Sequence, residues 1–140
     1  MESVKSTSER IQMPISQDSL AVAVARAHVE AFTNHDFETA RNLLAEDVNF
    51  TLLSAESNWP DHTEGVGVEA FMARLTHNYL TPGSAQFISS VGDERHALLL
   101  VSVKADFGGT PLTIFAARHY LLDDKGKIKT EQVIIFTHSD

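Results

Sequence analysis

Residues 112–136, LTIFAARHYLLDDKGKIKTEQVIIF, constrain the fold of this 140-residue chain more than any other stretch. Two runs rich in β-branched and aromatic residues flank the turn-forming cluster DDKG at 123–126, and this pattern predicts a long antiparallel hairpin. Its hydrophobic content places the hairpin at the centre of a sheet. Arg118, His119 and Tyr120 lie within its first strand, where a charge is costly unless it is paired or used.

The residues before the first predicted strand indicate two helices that meet at a tight corner. Asp18 can cap a first helix, for which Asn34 offers a left-handed end. Asp36 can cap a second helix at 37–44. The predicted buried stripe of the first helix, with His28 inside it, consists of Leu20, Val24, Ala27, Ala31 and Phe32.

Strands dominate the second half of the chain. Residues 48–52 alternate between apolar and polar and predict a half-buried strand, followed by a polar loop at 54–64 and a third helix at 68–80. This order predicts an α+β domain, with three N-terminal helices packed on the concave face of a curved antiparallel sheet. Further strands, which precede the last strand of the hairpin, are predicted at 86–91, 95–107 and 112–122.

Composition and charge narrow the classes of partner and chemistry. Eleven Lys and Arg against 19 Asp and Glu give a net charge of -8, which disfavours binding to nucleic acid and to anionic membranes. The absence of cysteine excludes disulfides, thiol nucleophiles and cysteine-ligated metals. No apolar run reaches the ~20 residues of a membrane span, so a cytoplasmic protein is expected. We expect a flexible leader at 1–17 and one domain at 18–140.

Three segments occur in a characteristic order: VEAFTNHDFETARNLLAEDVNF at 29–50, GVEAF at 67–71 and YLLDDKGKI at 120–128. Together they resemble the nuclear transport factor 2-like superfamily, and within it the SnoaL-like polyketide cyclases and ketosteroid isomerase relatives. The resemblance implies a cone in which the curved sheet and first helices enclose a deep apolar pocket, commonly within a homodimer. It implies no single activity, because this fold hosts isomerases, cyclases, epoxide hydrolases, dehydratases and noncatalytic proteins.

Comparison by position within this resemblance argues against ketosteroid isomerase chemistry. His28 takes the place of the oxyanion-hole Tyr. The position of the general-base Asp corresponds approximately to Leu52. Arg118, which is always charged, occupies the position of the Asp that is protonated in these isomerases. The epoxide hydrolases of this fold use an Arg-x-Asp and a last-strand Asp. Here Lys104-Ala105-Asp106 is similar to the former, while an apolar residue near Val133 replaces the latter.

The hairpin leads to a hypothesis for a catalytic pocket. A turn centred on Asp124-Lys125 would place Arg118 opposite Glu131, on the face that lines the cone. Arg118 would bind an anionic or carbonyl oxygen, while His28 or Glu131 moves a proton. The alternatives are an ordinary cross-strand salt bridge and a hydrogen-bonded core histidine. The predicted substrate-binding residues are Phe32, Phe50, Leu52, Trp59, Phe71, Tyr120, Val133 and Ile135.

Two further regions are candidates for binding. Asp61-His62-x-Glu64, beside Trp59, could line the pocket mouth, but its spacing matches no standard zinc or calcium site. We therefore expect neither a metal nor a cofactor. His119 alternates onto the opposite, outer face of the sheet, and Phe115, Ile134 and Phe136 make that face apolar enough for a homodimer interface.

Two classes of function remain open. The first is a cofactor-free acid/base enzyme of the cyclase, isomerase, dehydratase or hydrolase type, acting on an apolar small molecule in the cone. The second is a noncatalytic ligand-binding or dimerisation module. The first requires His28 or Glu131 to reach pocket space. We favour it because an arginine and a histidine directed at one cavity lower stability without an evident structural gain.

Overall fold

The computed structural model describes residues 19–54, 62–75 and 79–139. No helix in these ranges has the length and hydropathy needed to cross a membrane. The predicted leader at 1–17 lies outside them, so the division of the chain at residue 18 stays a prediction. The helices in the described ranges are α1 (Leu20–Thr33), α2 (Phe37–Asn42) and α3 (Val68–Leu75). The strands are β1 (Leu44–Ser54), β2 (His62–Val66), β3 (Gln86–Gly92), β4 (His96–Phe107), β5 (Thr110–Leu122) and β6 (Ile128–Ser139).

All six strands form one open sheet in the order β2-β1-β6-β5-β4-β3. The predicted run of four consecutive antiparallel strands, β3 to β6, is confirmed. β1 pairs with β6 in parallel, so the prediction of a wholly antiparallel sheet is wrong. No short hairpin joins these two strands, and only a long connection permits the parallel direction. The α+β class is confirmed.

The helices cover one face of this sheet. α1 packs on β3, β4 and β5, and α3 packs on β1 and β2. Buried residues on that face alternate with more exposed ones along the first half of β4 and along β6 from Glu131 to Phe136, as the period of two in a strand requires. We call this covered, concave side the cone and the opposite side the outer face. The buried cone-facing residues of β4 and β5 include Ala97, Leu99, Val101, Val103, Ala105, Ile114, Ala116 and Tyr120.

The first helix begins and faces the sheet differently from the prediction. Ser19, rather than Asp18, is its N-cap, and the Ser19 hydroxyl accepts a hydrogen bond from the Val22 amide at 3.2 Å. Leu20 and Ala27 are exposed. Ala31 and Phe32 are buried and Val24 is half-buried, so the predicted stripe is wrong only at Leu20 and Ala27. A small alanine tolerates either surface, and the buried series also includes Ala21 and Ala25 beside His28 and Phe32.

Three element boundaries also differ. α2 ends at Asn42, because Leu44 already pairs with Ile128 in the sheet. Tyr79 does not continue α3, since its carbonyl accepts from the Asp106 amide at 2.9 Å beside β4. The predicted loop at 54–64 contains the start of β2, a short polar edge strand without hydrophobic alternation. The left-handed residue after α1 is His35, with φ 62, rather than Asn34.

The register of the central hairpin is two residues away from the predicted one. Arg118 pairs with Val133, and Tyr120 pairs with Glu131. The turn is wider than a two-residue centre, because one Asp123 carboxylate oxygen accepts from the amides of Lys125 and Lys127, both at 2.9 Å. A shift of two residues preserves the face of every side chain. Arg118 and Glu131 therefore still point into the cone.

Candidate functional site

A carboxylate with three donors lies at the centre of the cone. Arg74 donates from Nη2 to Glu131 Oε1 at 2.6 Å. Arg118 donates from Nη1 to Oε2 at 3.0 Å, and the Tyr120 hydroxyl donates to the same oxygen at 2.8 Å. Glu131 is fully buried. Both of its oxygens are thus held by charged or phenolic donors.

Sheet register and one helix bring these groups together. Tyr120 and Glu131 are Cα partners across β5 and β6, and Arg118 lies two residues before Tyr120 on the same face. Arg74 comes from the last turn of α3 and reaches Glu131 across 57 residues of sequence. We call His28, Arg74, Arg118, Tyr120 and Glu131 the cone cluster.

Charge and burial fix the protonation states of the acidic members. Burial alone would raise the pKa of Glu131, but Arg74 and Arg118 outweigh it and lower that pKa to about 2. Burial raises the pKa of Tyr120, and the neighbouring Glu131 raises it further. At neutral pH the cluster therefore contains a Glu131 carboxylate and a neutral Tyr120 phenol.

His28 is a buried imidazole without a conventional partner. Its ring makes edge contacts with Phe32, Phe71 and Tyr120, with centroids 5.3, 5.5 and 6.1 Å away. Neither ring nitrogen has a hydrogen-bond partner among the described residues. Burial lowers the pKa of His28 to about 4, with Glu131 opposing and Arg118 and Arg74 contributing to the fall. The ring is thus neutral at pH 7 and retains a free donor and a free acceptor.

Aromatic faces support both guanidinium groups. Arg74 Cζ lies 4.7 Å from the ring centroid of Phe50 and 4.5 Å from that of Phe71. Arg118 Cζ lies 5.1 Å from the centroid of Phe32. Such contacts stabilise a partly buried cation and fix the plane of the guanidinium group.

The structure gathers most of the predicted site residues in one place. The three predicted catalytic residues, His28, Arg118 and Glu131, surround one point in the cone, but their catalytic roles stay predictions. Leu52 is half-buried beside its parallel partner Val133. Trp59 lies outside the described residues. The other predicted lining residues face the cone and are buried: Phe32, Phe50, Phe71, Tyr120, Val133 and Ile135.

Arg74 is the functional candidate that the sequence prediction missed. It follows Phe71 by three residues, and side chains at that spacing share a helix face. A cation in the last turn of an amphipathic helix is typical of a solvated position that favours the helix dipole. The available signal was the proximity of Arg74 to the apolar stripe of α3, but its partner lies too far along the chain to be read from the sequence.

The polar loop candidates lie at the limit of what the structure describes. Asp61 and the side chain of His62 fall outside it, and Glu64 is exposed on β2. Within the described part of the chain, no three His, Asp or Glu side chains are grouped so that they could hold a metal ion.

The outer face carries an apolar groove of about 500 Å³. Ile134 and Leu98 line it and are 52% and 54% exposed. Phe115 and Phe136 stack beside each other on this face, with ring centroids 5.2 Å apart. His119 lies on this face, as predicted. Its Nδ1 is 3.0 Å from the Gln132 side-chain oxygen, and its Nε2 is 3.2 Å from Nδ1 of His96.

Solved structures with the same fold include proteins of diverse function. RV0760c from Mycobacterium tuberculosis, solved in complex with estradiol-17beta-hemisuccinate, is 18% identical, with a TM-score of 0.68 over 83% of this chain and 93% of that one. An epoxide hydrolase of the LEH-like type from M. tuberculosis is 15% identical, with a TM-score of 0.65 over 83% and 82%. A computationally designed 17-OHP binder is 18% identical, with a TM-score of 0.67 over 83% and 92%. At these identities the likeness shows the fold.

The family assignment comes from the sequence itself. Among curated proteins no significant match to the chain is found. The model of the SnoaL-like domain matches residues 25–131, which extend from the middle of α1 to Glu131 and so include the whole cone cluster. The chain therefore belongs to the SnoaL-like domain family, within the nuclear transport factor 2-like superfamily.

Proposed function

We propose that this protein binds an apolar small molecule in its cone and moves a proton on it without a cofactor, as a cyclase, isomerase, dehydratase or hydrolase. The observation that carries the proposal is His28, a neutral and fully buried imidazole whose two nitrogens have no partner among the described residues. A buried polar group without a hydrogen bond destabilises the fold by about 1–3 kcal/mol. A ligand in the cone would supply the missing partner.

The members of the cone cluster would take different roles. His28 is the proton carrier, because it is uncharged at neutral pH and can accept or donate. Arg118 stabilises negative charge that develops on a substrate oxygen. Glu131 is a poor base, since three donors hold it and Arg74 and Arg118 lower its pKa. We therefore assign Glu131 to the positioning of the two arginines. Of the two candidate proton carriers, His28 and Glu131, this leaves His28.

Relatives of the same fold support a small molecule as the partner. RV0760c was solved with estradiol-17beta-hemisuccinate, and another neighbour is an epoxide hydrolase. The designed 17-OHP binder favours the alternative, a noncatalytic binding protein, because it is described only as a binder. The enzyme and the noncatalytic binding protein both place a ligand in the cone and differ in whether His28 exchanges a proton with it. A dimerisation module, the other form of the alternative, would place no ligand there.

Proton exchange can be measured before the substrate is known. Purified protein is incubated in D2O with a panel of apolar ketones and esters, and loss of each α-proton signal is followed by NMR. We expect catalysed exchange for at least one compound. His28→Gln should lower that rate at least about 100-fold, the size typical of a general base.

The control is His96→Gln, which removes an exposed histidine at the start of β4 and should leave exchange unchanged. Binding of the panel without any exchange would reject catalysis by α-proton transfer and favour the noncatalytic alternative. Equal exchange in the wild type and His28→Gln would reject the assigned role of His28.

We also propose that two copies of the chain associate through the outer face. The supporting feature is the apolar groove with exposed Ile134 and Leu98, an unusual surface for an isolated sheet. We also propose that the protein is cytoplasmic, as expected from its sequence.

A further inference from the structure

The cone cluster has an uneven charge. Arg74 and Arg118 are two cations, and Glu131 is the single anion that binds both of them. His28 and Tyr120 are neutral at pH 7, because burial lowers the pKa of the former and raises that of the latter. One positive charge is therefore left over inside a protein whose net charge is -8.

Unused donors lie in the same place as the excess charge. Arg74 and Arg118 each use a terminal nitrogen on Glu131, and the buried Nε of each finds no partner among the described residues. The neutral ring of His28 adds one more unpaired donor, because neither of its nitrogens has a partner among these residues. Buried donors and a buried net charge both destabilise a fold unless something satisfies them. An anionic oxygen group would satisfy both at once.

The access to the cluster favours the arginines over the carboxylate. Arg74 and Arg118 keep 14% and 10% of their side-chain surface accessible, whereas Glu131 keeps none. Of the three charged members of the cluster, only the cationic side chains therefore retain accessible surface. The rings of Phe32, Phe50 and Phe71 cover the guanidinium faces, so an anion would approach along the edges, where the N–H groups point.

We propose that the ligand of the cone is an apolar monoanion, with its carboxylate bound at the edges of Arg118 and Arg74 and its apolar body against the phenylalanines. This inference rests on the proposed function, because it concerns the same site. One negative charge on the ligand brings the occupied cluster to neutrality. A dianion would leave an uncompensated buried negative charge, and a cation would add to the excess positive one.

Matched pairs of compounds test the charge preference. A series of aryl and alicyclic carboxylates, including naphthoate and cyclohexanebutyrate, is compared with the corresponding primary amides by isothermal titration. We expect the best carboxylate to bind at least about tenfold more tightly than its amide, because charge-assisted hydrogen bonds are about twice as strong as neutral ones. On binding, the Nε–H resonances of Arg74 and Arg118 should shift in the NMR spectrum, which locates the anion.

Two variants separate this charge effect from general loss of the site. Arg118→Gln should reduce the preference for the carboxylate to less than about threefold while the amide still binds, since the cluster is then neutral. Arg41→Gln removes a guanidinium from an exposed ion pair with Glu69 and should leave the preference unchanged. Arg74→Gln serves as the second test if Arg118→Gln does not fold, and the comparison in the wild type needs no variant.

The possible failures are distinct. If an amide binds as tightly as its carboxylate and shifts the Phe32 and Tyr120 signals, the inference is overturned while the proposed cone site stands. If neither member of any pair binds, both the proposed function and this inference are overturned. If carboxylates bind but leave both Arg Nε–H signals in place, the anion site lies elsewhere and the inference fails.

Discussion

His28 occupies the environment in this protein that suits its side chain least. Its ring is enclosed by Phe32, Phe71 and Tyr120, and its two nitrogens have no partner among the described residues. An ordinary core position would be filled by an apolar residue at lower cost. The same isolation keeps the ring unprotonated well below its usual pKa, so the arrangement that weakens the fold also keeps a proton acceptor available.

The low pKa of His28 predicts acid sensitivity with a defined window. The unfolded chain takes up a proton near pH 6.5 and the folded chain only near pH 4, so protonation favours unfolding between these values. Lowering the pH from 7.5 to 4 should therefore remove about 3 kcal/mol of the unfolding free energy through this group. For His28→Leu, the fall in unfolding free energy over the same pH range should be smaller by about 3 kcal/mol. Urea denaturation of both proteins at both pH values measures this difference.

The Glu131 contribution lies lower on the pH scale. Its folded pKa is about 2 against 4.5 in the unfolded chain, so its stabilisation is complete above pH 4.5 and is lost as the pH falls toward 2. This part is common to the wild type and His28→Leu and cancels in their difference. Equal pH dependence in the two proteins would show that His28 is not the buried neutral group described above.

At this scale the sequence predicted three of the five members of the cone cluster as catalytic residues and a fourth, Tyr120, as a lining residue. Three of these four, Arg118, Tyr120 and Glu131, could be predicted because they lie on strands, where alternation alone determines the face on which a side chain lies. The role of Arg74 depends on how α3 docks against β6, and no local pattern reports that docking. Arg74 also supplies the hydrogen bond to Oε1 of Glu131, so the sequence could not predict that both carboxylate oxygens are occupied.

Among the elements, the central hairpin shows that alternation predicts the strands and their faces but does not predict the register between them. Its two strands and their faces were predictable from period-two hydrophobicity. The register was not, because Asp123 folds the turn around two amide donors and an irregularity at Leu121 and Leu122 shifts the ladder. The predicted register was off by two residues, so it kept each side chain on its face but placed Arg118, instead of Tyr120, opposite Glu131.

A second element, the edge strand β2, supports the cone through the absence of a side chain. Gly65 pairs with Phe50, and a Cβ at residue 65 would lie 2.7 Å from Cζ of that ring. Phe50 cannot move freely, because it packs against Phe71 with centroids 5.3 Å apart and lies under Arg74. β2 therefore brings its backbone close to a ring that supports the cluster.

We predict that Gly65→Ala destabilises the protein by about 1–3 kcal/mol through overpacking. Phe50→Leu in the same chain should relieve part of the clash, so the double variant should lose less stability than the sum of the two single variants. Urea denaturation of the four proteins measures this coupling. Strict additivity would mean that Gly65 and Phe50 do not constrain each other.

Taken as a whole, the molecule has two different sheet faces. The cone face combines an apolar series with one excess positive charge in the cone cluster, and the outer face carries an apolar groove. The fold class and the division into faces were predictable from element order and alternation, whereas the mixed sheet was not. The direction of β1 beside β6 depends on a pairing between the two ends of the domain, which no hairpin signal encodes.

The outer face leads to a prediction about assembly. If two copies pair through it, the wild type should sediment at twice the chain mass of 15.4 kDa. Ile134→Lys places a charge in the apolar groove at the centre of the sheet and should yield the single-chain mass, because an unpaired buried charge opposes association by several kcal/mol. Leu20→Lys alters an exposed apolar residue on α1 and should leave the dimer intact. Circular dichroism must show that both variants are folded. A monomeric wild type, or equal dissociation by both substitutions, would show that the groove is not the interface.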